Sequence, residues 1–237
     1  MTKYIIALVL GLLVGTAVFA AAIIYNPFGS DRGLSPLSVT GAEVLALNFS
    51  AVPSDAIVFT NNGESRVRPF PEKVLQLWEA PIRLTSAMAT VLRDARSRTA
   101  GIGVKFSSLS EQTKLLEGDA LVDSVWYVYL PGRGSLFLEQ SENYWTFLRE
   151  VGLPAYQNSS NNWKGSWLGD LTVGPGALGT ARVTGGTGSL QGLQMEAMES
   201  LSARAFSAEE GPIAADGRLL IELPAAVDQS EDGLSVD

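Results

Sequence analysis

Hydrophobic and polar positions fall into distinct regimes along the chain. From Tyr4 to Tyr25 there are 22 residues without a charge, enough at about 1.5 Å rise per residue to cross a hydrocarbon layer about 30 Å thick. Lys3 precedes this run, and Tyr25, an interface residue, is followed by the helix-stopping Asn26 and Pro27. Residues 1–25 therefore read as a single transmembrane anchor. The competing reading is a cleaved secretory signal, for which Ala20 and Ala22 offer small residues; against it, the apolar run continues through Ile23 and Ile24. Residues 26–38, rich in Pro, Gly and Ser without periodicity, read as a stalk. Residues 224–237 hold four acids and no bases and read as a disordered acidic tail.

Between them, residues 39–223 alternate with the period of two that a half-buried strand requires. Strands are expected at residues 43–49, 57–60 and 65–68, the last two flanking the Asn62-Gly63 turn step of a hairpin. Further strands are expected around Ile102, Val104 and Phe106, at residues 122–130 and 135–144 about Pro131-Gly-Arg-Gly134, and at residues 163–173, 178–184 and 217–223. One segment has helical spacing: Leu84, Ala87, Met88, Val91, Leu92 and Ala95 predict an amphipathic helix from Ser86 to Arg98. Residues 193–206 fit both periods. The fold class expected is mainly β: an antiparallel, barrel-like exported domain with one amphipathic helix, preceded by a single transmembrane helix. A closed barrel is favoured over an open sheet because closure removes edges.

The hairpin at residues 122–144 is the richest segment. A turn about Gly132 and Arg133 that pairs Leu130 with Ser135 also pairs Tyr129 with Leu136, Tyr127 with Leu138 and Trp126 with Glu139. One face then carries Val125, Tyr127, Tyr129, Leu136 and Leu138, and the other Trp126, Val128, Leu130, Phe137 and Glu139. Both faces are apolar, so both should be covered, one by the barrel interior and one by the helix. Trp126, Tyr127, Tyr129 and Glu139 are the candidate ligand-binding residues. Glu139 and Glu142, three apart on a strand, face opposite sides and cannot act as an acid–base pair without a bulge. The aromatics of EQSENYW and of NNWKGSW (Trp163, Trp167) fit either a pocket or a core.

Composition narrows the chemistry. The 237 residues include no His and no Cys, which excludes His-based triads, thiolate chemistry, disulfides and the usual zinc sites. No metal site and no cofactor is expected. With 17 basic against 25 acidic residues the formal charge is −8, which opposes nucleic-acid binding. Gly174, Gly176 and Gly179 match G-x-G-x-x-G, but the strand-like residues that follow oppose a dinucleotide site. Lys3 and the α-amine place the N-terminus inside and the domain on the exported side, periplasmic or extracellular; Arg32 at the other end opposes this. Gly11 and Gly15 form a G-x-x-x-G pair that lets a second helix approach in the membrane.

Residues 182–192, RVTGGTGSLQG, join a strand to a Gly-rich corner and then a hydrophobic residue and Gly. Over some 45 residues, from Trp163 to Phe206, this resembles the dirigent and allene-oxide-cyclase type of barrel. The resemblance implies an eight-stranded antiparallel barrel with an apolar pocket that binds or steers small hydrophobic molecules. It transfers no catalytic residue, because the family's pocket acids are not recognisable here.

The function expected is a membrane-anchored, exported barrel that binds a hydrophobic small molecule or a membrane-protein partner without catalysis. The alternatives are a cyclase or isomerase acting in the barrel, which requires Glu139 or Tyr127 to face a sealed cavity, and an accessory subunit of a membrane complex.

Overall fold

The computed structural model describes residues 2–24, 43–56, 58–61, 64–67, 70–76, 85–172, 181–193 and 195–223. The stalk, the acidic tail, the Asn62-Gly63 step and the Gly174–Gly179 motif lie outside the described residues. Helix α1 (Thr2–Ile24) follows directly from the uncharged run; it is long and apolar enough to cross a membrane, and residues 3–22 are exposed, Gly11 and Gly15 among them.

Among the described residues twelve strands follow: β1 (Glu43–Ser50), β2 (Val58–Asn61), β3 (Glu64–Val67), β4 (Phe70–Gln76), β5 (Thr85–Arg93), β6 (Thr99–Leu109), β7 (Leu121–Leu130), β8 (Gly134–Asn143), β9 (Asn162–Asp170), β10 (Ala181–Gly186), β11 (Glu196–Ser207) and β12 (Gly211–Leu223). Eight of them, in the order β1-β12-β11-β10-β8-β7-β6-β5, form a closed antiparallel barrel. The ring is completed between β5 and β1 at Arg93 and Asn48. The Asn48 side chain reinforces that junction, donating to Asp94 O (3.3 Å) and accepting from Arg218 Nε (3.0 Å). The mainly β barrel preceded by an apolar helix is thus the architecture its alternation predicted.

Two seams change partner along their length. At one end of the barrel β5 meets β1 and β11 meets β10, through Ala181–Ala197 and Arg182–Glu196. Toward the other end β5 pairs instead with β2 at residues 87–89, and β11 pairs with β9 from Ser200 to Ser207. The first end is solid: Leu47, Leu92, Val128, Leu136, Leu138, Leu219 and Ile221 fill it with no exposed surface. Midway, the rings of Phe49 and Trp126 meet edge-on with centroids 4.9 Å apart. A Cβ at Gly103 would lie 2.7 Å from the Trp126 ring and one at Gly217 would enter the Phe49 ring, so these glycines admit the two aromatics. The other end is hollow. It is flanked by a helical connection, residues 145–157, whose Phe147 and Val151 pack with Trp167, Leu171 and Leu201 as a second small core.

Two sequence expectations are corrected. The helix expected from Ser86 to Arg98 is strand β5 and a turn. Met88, Thr90 and Leu92 point inward with period two, and Ala87 and Val91, which face the other way, had combined with Met88 and Leu92 into an apparent helical stripe. Asp94 closes the turn by accepting from the backbone N–H of Arg96 (2.8 Å) and Arg98 (2.9 Å), and the Arg98 side chain adds a 2.7 Å ion pair. These bonds, the Arg98 N–H first, hold the Asp94 carboxyl below the ordinary range. The ambiguous residues 193–206 belong largely to β11.

The β7–β8 register also differs by one residue. Leu130 pairs with Gly134, Tyr129 with Ser135, Tyr127 with Phe137 and Val125 with Glu139. The turn is the three residues Pro131 to Arg133, closed by Arg133 N–H to Leu130 O (3.0 Å), with Gly132 at φ 77°. A one-residue slip exchanges the two faces of β8. Leu136 and Leu138 therefore join Trp126 and Val128 inside, whereas Phe137 and Glu139 join Val125, Tyr127 and Tyr129 outside. The expected covering helix is absent from that outer face among the described residues, and Val125, Tyr129 and Phe137 are each more than 40% exposed.

The GGTG corner packs against this same turn. Thr187 donates its backbone N–H to Ser135 O (2.9 Å) and Ser189 donates to Arg133 O (2.9 Å). A Cβ at Gly188, where φ is 64°, would lie 2.6 Å from Arg133 O, so the glycine is required by both conformation and contact. Its role is to close the solid end, with Leu190 tucked beneath it.

Candidate functional site

Where the solid half gives way to the hollow half, the inward positions become polar. Strand β6 presents Lys105, β7 presents Ser124 and Trp126, β8 presents Gln140 and Glu142, and β11 presents Glu199. Each is buried, Glu142 completely. Alternation from the leucines of β8 carries the side chains at 140 and 142 to the same face.

Lys105 Nζ lies 2.8 Å from Glu142 Oε1 and 2.7 Å from Glu199 Oε1, so one cation bridges two carboxylates. It also stands 5.4 Å above the Trp126 ring. Trp126 Nε1 donates to Glu199 Oε2 at 2.8 Å, and Tyr144 OH donates to Glu142 Oε2 at 2.7 Å. Gln140 Nε2 donates to Glu142 Oε1 at 3.0 Å and also to Glu199, while Ser124 Oγ donates to Glu142. The Glu199 backbone is held from the next segment, donating to Thr172 Oγ1 (2.8 Å) and accepting from Leu171 N (2.8 Å).

Burial opposes charge at every member, and the pairing decides the outcome. Burial would lower the Lys105 ammonium, but Glu142 and Glu199 together hold it above its ordinary value. Burial would raise Glu142, yet Lys105 and its hydrogen bonds keep it below the ordinary range. Glu199 is pushed up, by burial first and by the neighbouring Glu142 charge as well. Tyr144 is pushed well up by burial and then by the two carboxylates. Lys105 and Tyr144 are therefore held protonated and Glu142 ionised. Glu199 is the acid that leans toward taking a proton.

Glu199 and Lys105 also border the hollow end, a cavity of about 510 Å³. Its walls are otherwise largely apolar, with Phe49, Met88, Leu201 and Phe206 from the strands and Phe147 and Leu148 from the helical connection; Tyr144 stands at the junction. This size falls in the range of about 300–1,000 Å³ usual for small-molecule pockets, with few polar groups set in an apolar lining. No cluster of three or more metal-ligating side chains occurs among the described residues.

The residues selected from sequence separate. Trp126 is inside, in the polar cluster. Tyr127, Tyr129 and Glu139 are on the outer face, Tyr127 against Phe137 with centroids 5.0 Å apart. Glu139 lies across from Arg182 and borders a second, outer groove of about 580 Å³. The condition stated for a cyclase, Glu139 or Tyr127 facing a sealed cavity, is not met. The opposed facing of Glu139 and Glu142 is as the strand geometry required. Trp163 and Trp167 belong to the small core beneath the helical connection, where Trp167 Nε1 donates to Glu150 Oε2 (3.1 Å).

Lys105 and Glu199 were not selected from sequence. In β6 the alternation Gly101, Gly103, Lys105 faces inward and Ile102 and Phe106 face out, the reverse of what hydrophobicity suggests. The available signal was a charge at mid-strand between positions of small side chains. For Glu199 the signal was one acid among the inward Ala197, Leu201 and Ala203. No protein-family model matches this chain, and no curated protein matches it.

Proposed function

We propose that this protein is a membrane-anchored barrel that binds a hydrophobic small molecule in the hollow half of its interior. The carrying observation is the contrast inside one sheet: half the barrel is filled with leucine and isoleucine, and the other half leaves an apolar cavity of about 510 Å³ with a polar cluster at its inner end. An interior designed only for stability would be filled, because each void forfeits packing energy. Helix α1 serves as an uncleaved anchor, with Lys3 keeping the N-terminus inside and the barrel on the exported side. The closed antiparallel barrel and the Gly-rich corner support kinship with barrels of the dirigent and allene-oxide-cyclase type, and the reading adopted is binding without catalysis.

The test compares the full chain with Ala205→Trp, both in phosphatidylcholine nanodiscs. Ala205 lines the cavity and is only partly buried, so the indole enters open space. Nile red is expected to bind the wild-type chain above the level of empty discs, and Ala205→Trp is expected to abolish that excess while circular dichroism is unchanged. Equal dye binding by both chains would overturn the reading.

A further inference from the structure

The polar cluster has an imbalance that bears on what the cavity holds. Its charges are one lysine against two glutamates. Every side-chain donor described in it is directed at a carboxylate: Lys105 Nζ, Gln140 Nε2, Ser124 Oγ, Tyr144 OH and Trp126 Nε1 all end on Glu142 or Glu199. The acceptors are not exhausted. Gln140 Oε1 is buried and has no partner among the described residues, a costly condition for an amide oxygen, but Gln140 lines the outer groove and not the cavity, so the acceptor within reach of a cavity ligand is Glu199.

The two carboxylates differ in access. Glu142 is fully enclosed by Lys105, Ser124, Gln140 and Tyr144, whereas Glu199 borders the cavity together with Lys105. Lys105 is shared by both carboxylates, so one cation serves two acids, and of the two only Glu199 borders the cavity. A carboxylate or phosphate ligand would bring only acceptors to a site whose donors are occupied, and a negative charge beside an uncompensated one. A ligand that brings donors and positive charge completes the set.

We infer that the cavity takes an amphiphile whose polar end is a protonated amine, bound at Glu199 with its apolar body against Met88, Leu201 and Phe206. The ammonium supplies the second cation that two buried carboxylates call for, and the chain occupies the apolar walls. A neutral alcohol satisfies the donor requirement without the charge and binds less tightly. An anionic head is rejected. The inference rests on the cavity-binding reading and adds the chemistry of its ligand.

The test displaces Nile red from the full chain in phosphatidylcholine nanodiscs with dodecylamine, dodecanol and dodecanoate at neutral pH, with Ala205→Trp as the measure of lipid partitioning. Dodecylamine is expected to bind about tenfold more tightly than dodecanol, with dodecanoate weakest. Glu199→Gln is expected to remove most of the preference for amine over alcohol while dodecanol still binds. Dodecanoate binding as tightly as dodecylamine would overturn the inference and leave the cavity reading standing. A preference for amine that survives Glu199→Gln would overturn the assignment to Glu199. Failure of all three to displace dye that the cavity holds would overturn the inference, whereas absence of cavity-dependent dye binding defeats the reading beneath it. The wild-type series decides the head-group order even if the variant does not fold.

Discussion

The two halves of the barrel share strands, alternation and hydrogen bonding, yet one half is solid and the other hollow. In the solid half the ring is completed by direct pairing of β5 with β1 and of β10 with β11, and branched side chains meet across a narrow interior. In the hollow half β2 and β9 take over as partners of β5 and β11. There short side chains such as Ala203, Ala205 and Ala215 line the space. The charged cluster sits where the two regimes meet. Its burial is costly in itself, and replacing such networks by apolar groups is often neutral or stabilising. Packing stability alone does not account for the hollow half, in keeping with the proposed binding role.

The largest expected effect breaks the comparison at that boundary. Lys105→Met leaves two buried carboxylates without their cation and is expected to cost about 3–5 kcal/mol in chemical denaturation. The triple replacement Lys105→Met, Glu142→Leu and Glu199→Leu is expected to recover only part of that loss, because the desolvation cost goes with the charges while the donors of Ser124, Trp126, Gln140 and Tyr144 lose their acceptors. A triple variant as unstable as Lys105→Met would show that the cluster is a structural requirement.

Next in size is the contrast between leucines. Leu136→Ala in the solid half should cost about 2–5 kcal/mol, as truncations that create new cavities do. Leu201→Ala, which enlarges a cavity already present, should fall at or below the low end of that range. Equal losses would mean that the cavity wall is as tightly supported as the solid core.

The smallest effect is that of pH. Lys105 and Tyr144 hold their protons above their ordinary values in the folded protein. Above about pH 10 the unfolded chain releases these protons first, so it binds fewer than the folded chain and stability falls as pH rises. On the acid side Glu142, held low, loses its contribution as pH falls, while Glu199, held high, works in the opposite sense. The alkaline limb is therefore expected to be the steeper. Tyr144→Phe should flatten it in thermal melts; an unchanged limb would remove Tyr144 from the linkage.

Several features were legible in the sequence because they depend on local repetition. The uncharged run that begins at Tyr4 announced helix α1, because an unbroken apolar stretch of that length is what a helix able to cross a membrane requires. The period of two announced the strands, and Gly-rich corners announced their turns. The facing of Glu142 away from Glu139 followed from strand geometry alone. The helix expected at residues 86–98 failed because apolar residues on both faces of the strand, Ala87 and Val91 on one and Met88 and Leu92 on the other, also satisfy a helical period, and barrel pairing with β6 chose the strand.

The site was less legible because it depends on register. Sequence determined that β8 alternates, but one residue in the Pro131–Arg133 turn decided which alternate set faces inward, and with it whether Glu139 or Glu142 meets the cluster. Likewise the sequence displays Lys105 and Glu199 as isolated charges on strands 94 positions apart. Only closure of the ring brings them within 2.7 Å, because strand pairing converts separation along the chain into adjacency across a barrel. Amino-acid order sets which side chains share a face; the tertiary structure decides which face is buried and what opposes it there.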